Sequence, residues 1–292
     1  MVKMQKNKVS LLMSKGMIKD PSRGGSGLPP FDSQGEEAMI ALHGRPVLLI
    51  RNNKIERPDS AEVLRKIRPF IKKIEHSIPS VGRLEFINSS KLFGGTAWMI
   101  TENIVVTNRH VAELIAQKKN KVFPFKTTFT GLMGAVLDFK EEYAGPGVAS
   151  PEFEIEIEKV LFMTESRKDV PDIAFLKIKN HKYLPPPIPL SERALFDRQQ
   201  VSVIGYPAET DTGIISETAA FKVFKDIYNV KRCSPGDIMN PLKDQWYFSH
   251  SCTTLQGNSG SVVIDHETGA AVGLHFYGLV QDANYAVKVL YF

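Results

Sequence analysis

Residues 82–292 are built from short runs of β-branched and aromatic residues, and this pattern constrains the fold more than any other feature of the chain. The runs include RLEFIN, TAWMI, IVVT, IAFLKI, VSVIGYP, SVVID and AAVGLHF. Turn-forming residues separate them, and the 292-residue chain contains 21 Gly and 18 Pro. Such short runs are typical of strands joined by tight turns. We therefore predict an all-β fold.

A Pro-rich segment divides this region into two β halves, and the first half contains a clearly alternating strand. The segment EFEIEIEKVLF, residues 152–162, alternates Glu with apolar residues at its start, which predicts a strand with one buried and one acidic face. The segment YLPPPIPL, residues 183–190, is stiff and cannot join a central strand. We place the boundary between the halves there, and predict a long β ribbon over residues 214–230 in the second half.

A different pattern precedes the β-rich region. The run RPVLLIRN, residues 45–52, predicts a strand. In residues 59–78, apolar side chains recur at spacings of three and four, at Val63, Ile67, Ile71 and Ile74. This spacing predicts an amphipathic helix that Asp59 or Ser60 caps. Pro69 should kink that helix or split it in two.

The excess of positive charge lies in the leader, residues 1–35, which ends in GGSGLPPFDSQG and is predicted to be disordered. Residues 1–23 hold six basic residues and one acidic residue, whereas the rest of the chain has 31 of each. Nucleic-acid binding requires basic residues clustered on a folded surface, so we do not expect it. The apolar stretch VSLLM is too short for a secretion signal, and no run approaches the roughly 20 residues of a membrane span. With only two cysteines, which we expect to be free thiols, the chain is predicted to be cytoplasmic.

Three segments contain residues that are suited to nucleophilic catalysis. His110 lies in TNRHVA, Asp172 directly precedes the apolar run IAFLKI, and Ser259 lies in GNSGS. Each residue alone is more often structural than catalytic, and Asp169 is an alternative carboxylate. Together they supply a hydroxyl nucleophile, a base for its proton and a carboxylate that orients the base.

The glycines of GNSGS fit the remaining requirement, which is a group of donors for the developing oxyanion. Because Gly257 has no side chain, the backbone around the nucleophile can turn the amides of Gly257 and Ser259 toward one point. Gly260 lets the chain leave the turn without crowding Ser259. The predicted oxyanion hole therefore consists of the backbone amides of Gly257 and Ser259.

These motifs resemble those of the trypsin and chymotrypsin superfamily, in its order of histidine, aspartate and serine. The resemblance covers residues 82–292 and implies two antiparallel six-stranded β-barrels with the active site in the cleft between them. An N-terminal helix would be added to this fold. The implied division is a leader at 1–35, a segment, helix and first barrel at 36–182, and a linker and second barrel at 183–292. The implied activity is that of a serine endopeptidase, which needs no cofactor and no metal.

Two further positions concern the substrate. In the superfamily, the regions of Thr254 and His275 form opposite walls of the primary specificity pocket, and a hydroxyl with an imidazole suits a carboxylate or carboxamide side chain. Thr253, at the base, argues against a pocket for Arg or Lys, which would require an acid there. The pair resembles that of bacterial V8-like glutamyl endopeptidases and of viral proteases that cut after Gln. We predict cleavage after Glu, with Gln next.

Two functions other than peptide hydrolysis are alternatives for this chain. A catalytically silent interaction domain on the same fold is the main alternative. An esterase is a weaker alternative, because the order of the catalytic residues is not that of an α/β-hydrolase.

Asn258 carries no charge to pair with a new N-terminal ammonium, so trypsin-type activation is not expected. We expect narrow specificity for a protein or peptide substrate, or control by a regulatory partner that acts through the leader or the helix.

Overall fold

The computed structural model of the chain describes residues 38–39, 46–150, 152–209, 217–278 and 283–292. The predicted leader, residues 1–35, lies outside this part. Among the described residues, no helix is both long and apolar enough to cross a bilayer.

The N-terminal part contains short strands and two helices. Its elements are β1 (Ala38–Met39), β2 (Leu48–Arg51), β3 (Lys54–Ile55), α1 (Ala61–Ile67), α2 (Ile71–Ser77) and a 3₁₀ turn (Ile78–Ser80). The Ser60 hydroxyl accepts a hydrogen bond from the Val63 amide and caps α1. Pro69 lies between α1 and α2, so the predicted helix and its split at this proline are confirmed.

The first barrel is a closed antiparallel sheet of six strands in the order β10-β11-β6-β5-β4-β9. The elements of this half are β4 (Val81–Ile87), β5 (Phe93–Met99), β6 (Ile104–Thr107), α3 (Arg109–Ile115), β7 (Thr127–Thr128), β8 (Gly131–Leu132), β9 (Gly134–Asp138), β10 (Glu154–Met163) and β11 (Ala174–Ile178). In β10 the glutamates at 154, 156 and 158 are exposed and the isoleucines between them are buried. The predicted alternation is thus confirmed.

The second barrel closes in the order β12-β16-β17-β18-β14-β13, because β12 also pairs with β13. Its elements are β12 (Gln200–Gly205), α4 (Glu217–Phe224), β13 (Arg232–Asn240), β14 (Tyr247–His250), β15 (Thr254–Leu255), β16 (Val262–Asp265), β17 (Ala271–Gly278), β18 (Asn284–Lys288) and a 3₁₀ turn (Val289–Tyr291). Strands β2 and β3 extend this sheet from β13, and β1 pairs with β15. The predicted fold of two six-stranded antiparallel barrels is confirmed.

The Pro-rich segment 183–190 crosses from one barrel to the other and forms no strand of its own, although Leu190 makes a single β-bridge with Ala271 of β17. The Ile188 amide donates to the Met99 carbonyl at 2.9 Å, and the Ser191 amide donates to the Ala271 carbonyl at 2.8 Å. The first bond reaches the first barrel and the second bond reaches the second barrel. The C-terminal end of the connection is therefore bonded to both barrels.

The ribbon predicted over residues 214–230 is wrong. Residues 210–216 lie outside the described part, and the next segment forms α4. The sequence ETAAFKVF is rich in helix-forming Ala, Glu and Lys, which favours this state. The Arg232 guanidinium stabilises the end of α4, because it donates to the Phe224 carbonyl at 2.7 Å.

A single apolar cluster joins the two barrels and the helices. It contains Ile67 and Ile74 from the helices, Trp98 from the first barrel, and Ile264 and Leu274 from the second. Each barrel also has its own apolar interior. The predicted helix therefore packs against the region where the barrels meet, and burial of its apolar stripe stabilises that region.

We predict that Ile74→Ala lowers the free energy of unfolding by about 2–5 kcal/mol, because Ile74 is fully buried and the substitution leaves a cavity. Urea unfolding at neutral pH measures this change. The exposed neighbour Lys72 provides the control, and Lys72→Ala should change stability by no more than about 0.5 kcal/mol. Equal effects of the two substitutions would contradict the packing described here.

Candidate active site

The pairing of β6 with β11 brings His110 and Asp172 together. In this antiparallel pair Thr107 lies opposite Ala174, so the residues after Thr107 and before Ala174 meet at one end of the sheet. Helix α3 begins at Arg109, directly after β6, and places His110 in its first turn. Two segments separated by about 60 residues in the sequence thus form one site.

His110 connects Asp172 to Ser259 through its two ring nitrogens. Its Nδ1 atom lies 2.5 Å from Asp172 Oδ2, and its Nε2 atom lies 2.9 Å from Ser259 Oγ. The backbone amide of His110 also donates to Asp172 Oδ1 at 3.1 Å. The imidazole is therefore held in one orientation between a carboxylate and a hydroxyl.

Asp172 is ionised although it is buried. Burial by itself would raise the pKa of this carboxyl, but the charge and hydrogen bond of His110, together with the charge of Arg109, hold the pKa below its ordinary value. Arg109 Nε lies 3.6 Å from Asp172 Oδ1, and the Arg109 side chain is also buried. Asn108 Nδ2 donates to the Asp172 carbonyl at 3.1 Å and fixes its backbone.

The loop that carries Ser259 requires glycine at two positions. Gly257 and Gly260 both have φ +86°, a conformation that favours glycine. A Cβ atom on Gly257 would collide with the Tyr206 carbonyl, and one on Gly260 would collide with the Thr96 carbonyl. The GNSGS motif can therefore form this turn, whereas a sequence with larger residues at these positions would be strained.

Thr96 of β5 holds this loop against the first barrel. Its amide donates to the Ser259 carbonyl at 2.8 Å, and its hydroxyl donates to the Gly257 carbonyl at 3.0 Å. Ser261 Oγ lies 3.3 Å from the same hydroxyl, and Thr107 Oγ1 donates to the Thr96 carbonyl at 2.7 Å. The position of Ser259 relative to His110 is thus fixed by bonds between the barrels.

The residues predicted to contact the substrate side chain are all buried near this loop. Thr253 lies just before β15, Thr254 is its first residue, and His275 lies in β17. The His275 carbonyl accepts a hydrogen bond from the Gly260 amide at 2.9 Å, which links β17 to the Ser259 loop. Among the described residues, neither Thr254 Oγ1 nor His275 Nε2 has a hydrogen-bond partner.

His275 pairs with a second buried histidine, His250 of β14. His250 Nε2 lies 3.2 Å from His275 Nδ1. Burial, and to a lesser extent the charge of His110, lowers the pKa of His275 to about 3. Burial and His275 likewise lower the pKa of His250 well below its ordinary value. Both rings are therefore neutral at pH 7.

Two other candidates have separate roles. Asp169, the alternative carboxylate, binds Arg167 at the surface through hydrogen bonds of 3.0 and 2.5 Å. Asn258 is bonded within the Ser259 loop, where its Nδ2 donates to the Leu255 carbonyl and its Oδ1 accepts from Ser261.

The contact of Arg109 with Asp172 was not predicted from the sequence. The basic residue directly before His110 was the feature that could have indicated it.

One group of carboxylates in the described part of the chain could in principle hold a cation. Ligand atoms of Glu85, Asp138 and Glu141 lie within 4.8 Å of one another on the first barrel. Arg83 already forms ion pairs with Glu85 at 2.6 Å and Glu141 at 3.3 Å. The arginine supplies the positive charge that a metal would provide, so this cluster is accounted for without an ion.

The chain matches a family model and is similar to several solved structures. A family model described as a trypsin-like peptidase domain matches residues 95–274. No curated protein sequence matches the chain. Among solved structures, the chain is similar to the inactive form of the Rv3671c protease, with 18% identity, a TM-score of 0.44 and coverage of 74% of this chain and 87% of that one. A variant of that protein from M. tuberculosis H37Rv also matches, with a TM-score of 0.42, 18% identity and coverage of 74% and 84%. The structure of Deg5 matches with 17% identity, a TM-score of 0.49 and coverage of 79% and 91%.

The neutral buried state of His275 predicts a pH-dependent stability. Because its folded pKa of about 3 lies below the unfolded value of about 6.5, the unfolded chain binds more protons between these pH values, and stability falls as the pH falls through this window. Between pH 7 and pH 5, His275→Gln should lose about 2 kcal/mol less stability than the wild type. Urea unfolding at both pH values measures the difference.

The exposed His76 provides the control, since His76→Gln should keep the pH dependence of the wild type. If His275→Gln and the wild type lose stability equally, His275 is not buried in its neutral form.

Proposed function

The chain belongs to the family of trypsin-like peptidase domains, and on this premise we propose that it is a serine endopeptidase that hydrolyses peptide bonds through an acyl-enzyme. The observation that carries the proposal is the continuous hydrogen-bonded chain from Ser259 Oγ through His110 to Asp172, with distances of 2.9 and 2.5 Å. This arrangement is the one that activates a hydroxyl for attack on an amide carbonyl.

In the proposed first step, Ser259 Oγ attacks the substrate carbonyl while His110 Nε2 takes its proton. Asp172 accepts the hydrogen bond from Nδ1, so Nε2 of the neutral ring is the free base. The same carboxylate then stabilises the imidazolium that forms. His110 gives the proton to the leaving amine, which breaks the C–N bond and leaves the acyl group on Ser259.

In the second half of the reaction, water takes the place of the amine. His110 removes a proton from this water, the resulting oxygen attacks the acyl carbonyl, and the proton returns to Ser259 Oγ as the acid leaves. About 23% of the His110 side chain is exposed, whereas Asp172 is buried, so water can reach the base and not the carboxylate. This difference in exposure suits a base that must act on both substrate and water.

The amides of Gly257 and Ser259 are proposed to form the oxyanion hole. The left-handed φ of Gly257 and the bond from the Thr96 hydroxyl to its carbonyl support this role, since they fix the peptide planes next to Ser259. Donors held in place before the reaction stabilise the tetrahedral intermediate without reorganisation of the site.

We further propose that the substrate residue before the cleaved bond is Glu or Gln. The supporting features are Thr254 and His275, two buried polar residues beside the nucleophile loop, and the absence of an acid at Thr253. The buried cysteines Cys233 and Cys252 are not joined in a disulfide, which supports a cytoplasmic location. Control by a regulatory partner and narrow specificity for a protein or peptide substrate remain parts of the proposal.

We predict that purified wild-type protein cuts a diverse peptide library after Glu or Gln and that Ser259→Ala does not. Mass spectrometry of the products identifies the cut sites. A fluorophosphonate, which phosphonylates only an activated serine, should label Ser259 in the wild type and leave the variant unlabelled. Absence of both cutting and labelling in the wild type would favour the alternative of a catalytically silent interaction domain.

Asp172→Asn should lower kcat by about 10⁴ and leave KM for a cleaved peptide within a few-fold, because the amide favours the wrong tautomer of His110 without removing substrate contacts. Steady-state kinetics on one peptide separates the two constants. Asp169→Asn is the matched control and should retain wild-type kinetics, since Asp169 binds Arg167 at the surface. Loss of activity in the control with retention in Asp172→Asn would reverse the assignment.

A further inference from the structure

Three buried polar atoms near the end of β17 have no hydrogen-bond partner in the part of the chain that the structure describes. They are Thr254 Oγ1, His275 Nε2 and Asn284 Oδ1, and their side chains are fully buried. Buried polar atoms are nearly always paired, so a group of unpaired ones next to a reactive serine indicates atoms that a substrate satisfies. The chemistry of these atoms then determines which side chain can satisfy them.

Asn284 presents an acceptor to this region. Its Nδ2 atom donates to the Cys252 carbonyl, and this bond assigns the opposite side of the amide to Oδ1. A Cβ atom on Gly278 would collide with Asn284 Oδ1 and would lie 3.7 Å from Thr254 Oγ1. The amide carbonyl of Asn284 and the hydroxyl of Thr254 therefore both flank Gly278, the residue opposite Asn284 in the β17–β18 pair.

His275 contributes a neutral group rather than a charge. Its Nδ1 atom shares one hydrogen with His250 Nε2 over 3.2 Å, and the two rings meet edge to face. The partner is an imidazole and not a carboxylate, so it offers no negative charge to stabilise an imidazolium. Burial lowers the pKa of both rings, which agrees with this reading.

A carboxylate and a carboxamide would form different hydrogen bonds with these three atoms. A carboxamide has two N–H donors for Asn284 Oδ1 and an acceptor oxygen for a donor on His275 or Thr254. A carboxylate has no donor, so it leaves Asn284 Oδ1 unpaired in either tautomer of His275. It would also bring an uncompensated negative charge into a buried region.

We propose that these buried polar groups select glutamine over glutamate at the residue before the cleaved bond, with Asn284 as the specificity-determining residue that accepts a hydrogen bond from the carboxamide. The inference rests on the proposed function and narrows the choice between Glu and Gln that it left open. A site that hydrogen-bonds a substrate group discriminates strongly against an analogue that lacks it.

The experiment compares two peptides that differ only in Gln or Glu before the cut bond, using full-length protein. We expect kcat/KM for the Gln peptide to exceed that for the Glu peptide by about 10- to 100-fold. Asn284→Ala removes the acceptor and should bring this ratio to within a few-fold of one. Asn284→Asp keeps an acceptor and adds a charge that repels Glu, so its ratio should equal or exceed that of the wild type.

The matched control is Asn180→Ala, an exposed asparagine on the first barrel whose loss should leave the ratio unchanged. Fluorophosphonate labelling of the wild type separates the two proposals. If Ser259 is not labelled, the proposed function fails and this inference fails with it. If Ser259 is labelled but Glu is cut as well as Gln, or neither peptide is cut, this inference alone is overturned. A preference for Gln that survives in Asn284→Ala would overturn the role of Asn284.

Discussion

The site depends on the hydrogen bonds by which Thr96 attaches the nucleophile loop of the second barrel to the first barrel. The Thr96 amide binds the Ser259 carbonyl and its hydroxyl binds the Gly257 carbonyl, so one residue fixes both ends of the turn around the serine. His110 and Ser259 lie on separate barrels, which a shared apolar cluster packs together, and the Thr96 bonds add a direct hydrogen-bonded link beside the serine. This attachment helps to hold His110 Nε2 at 2.9 Å from Ser259 Oγ.

The electrostatics of the site divide it into a charged part and a neutral part. Asp172 is buried as an anion because His110 and Arg109 offset the unfavourable desolvation. His275 and His250 are equally buried but face each other, so neither obtains a counter-charge and both stay neutral. The charge is placed where a proton must move, and neutral hydrogen-bonding groups lie where the proposed substrate side chain binds.

Much of the fold followed from local patterns. The alternation at the start of residues 152–162 predicted the strand β10, and the apolar spacing in residues 59–78 predicted a helix that Pro69 kinks or splits. The ribbon predicted over residues 214–230 was wrong, because apolar residues in a short segment fit a helix and a strand equally well. Phe224 is buried and Phe221 exposed, a distinction that only packing against the rest of the chain could make.

The sequence by itself determined which groups exist for chemistry: a histidine after one strand, an aspartate before another, and a serine between glycines that permit φ values near +86°. These are local properties, set by residue type and by the backbone conformation that each residue allows. Only the tertiary structure decided that Arg109 supports Asp172, that Thr96 holds the serine loop, that His250 contacts His275, and that Asn284 lies opposite Gly278. Strand register and barrel closure bring those partners together. Both depend on packing of the whole chain, so no sequence motif of fixed spacing identifies the partners.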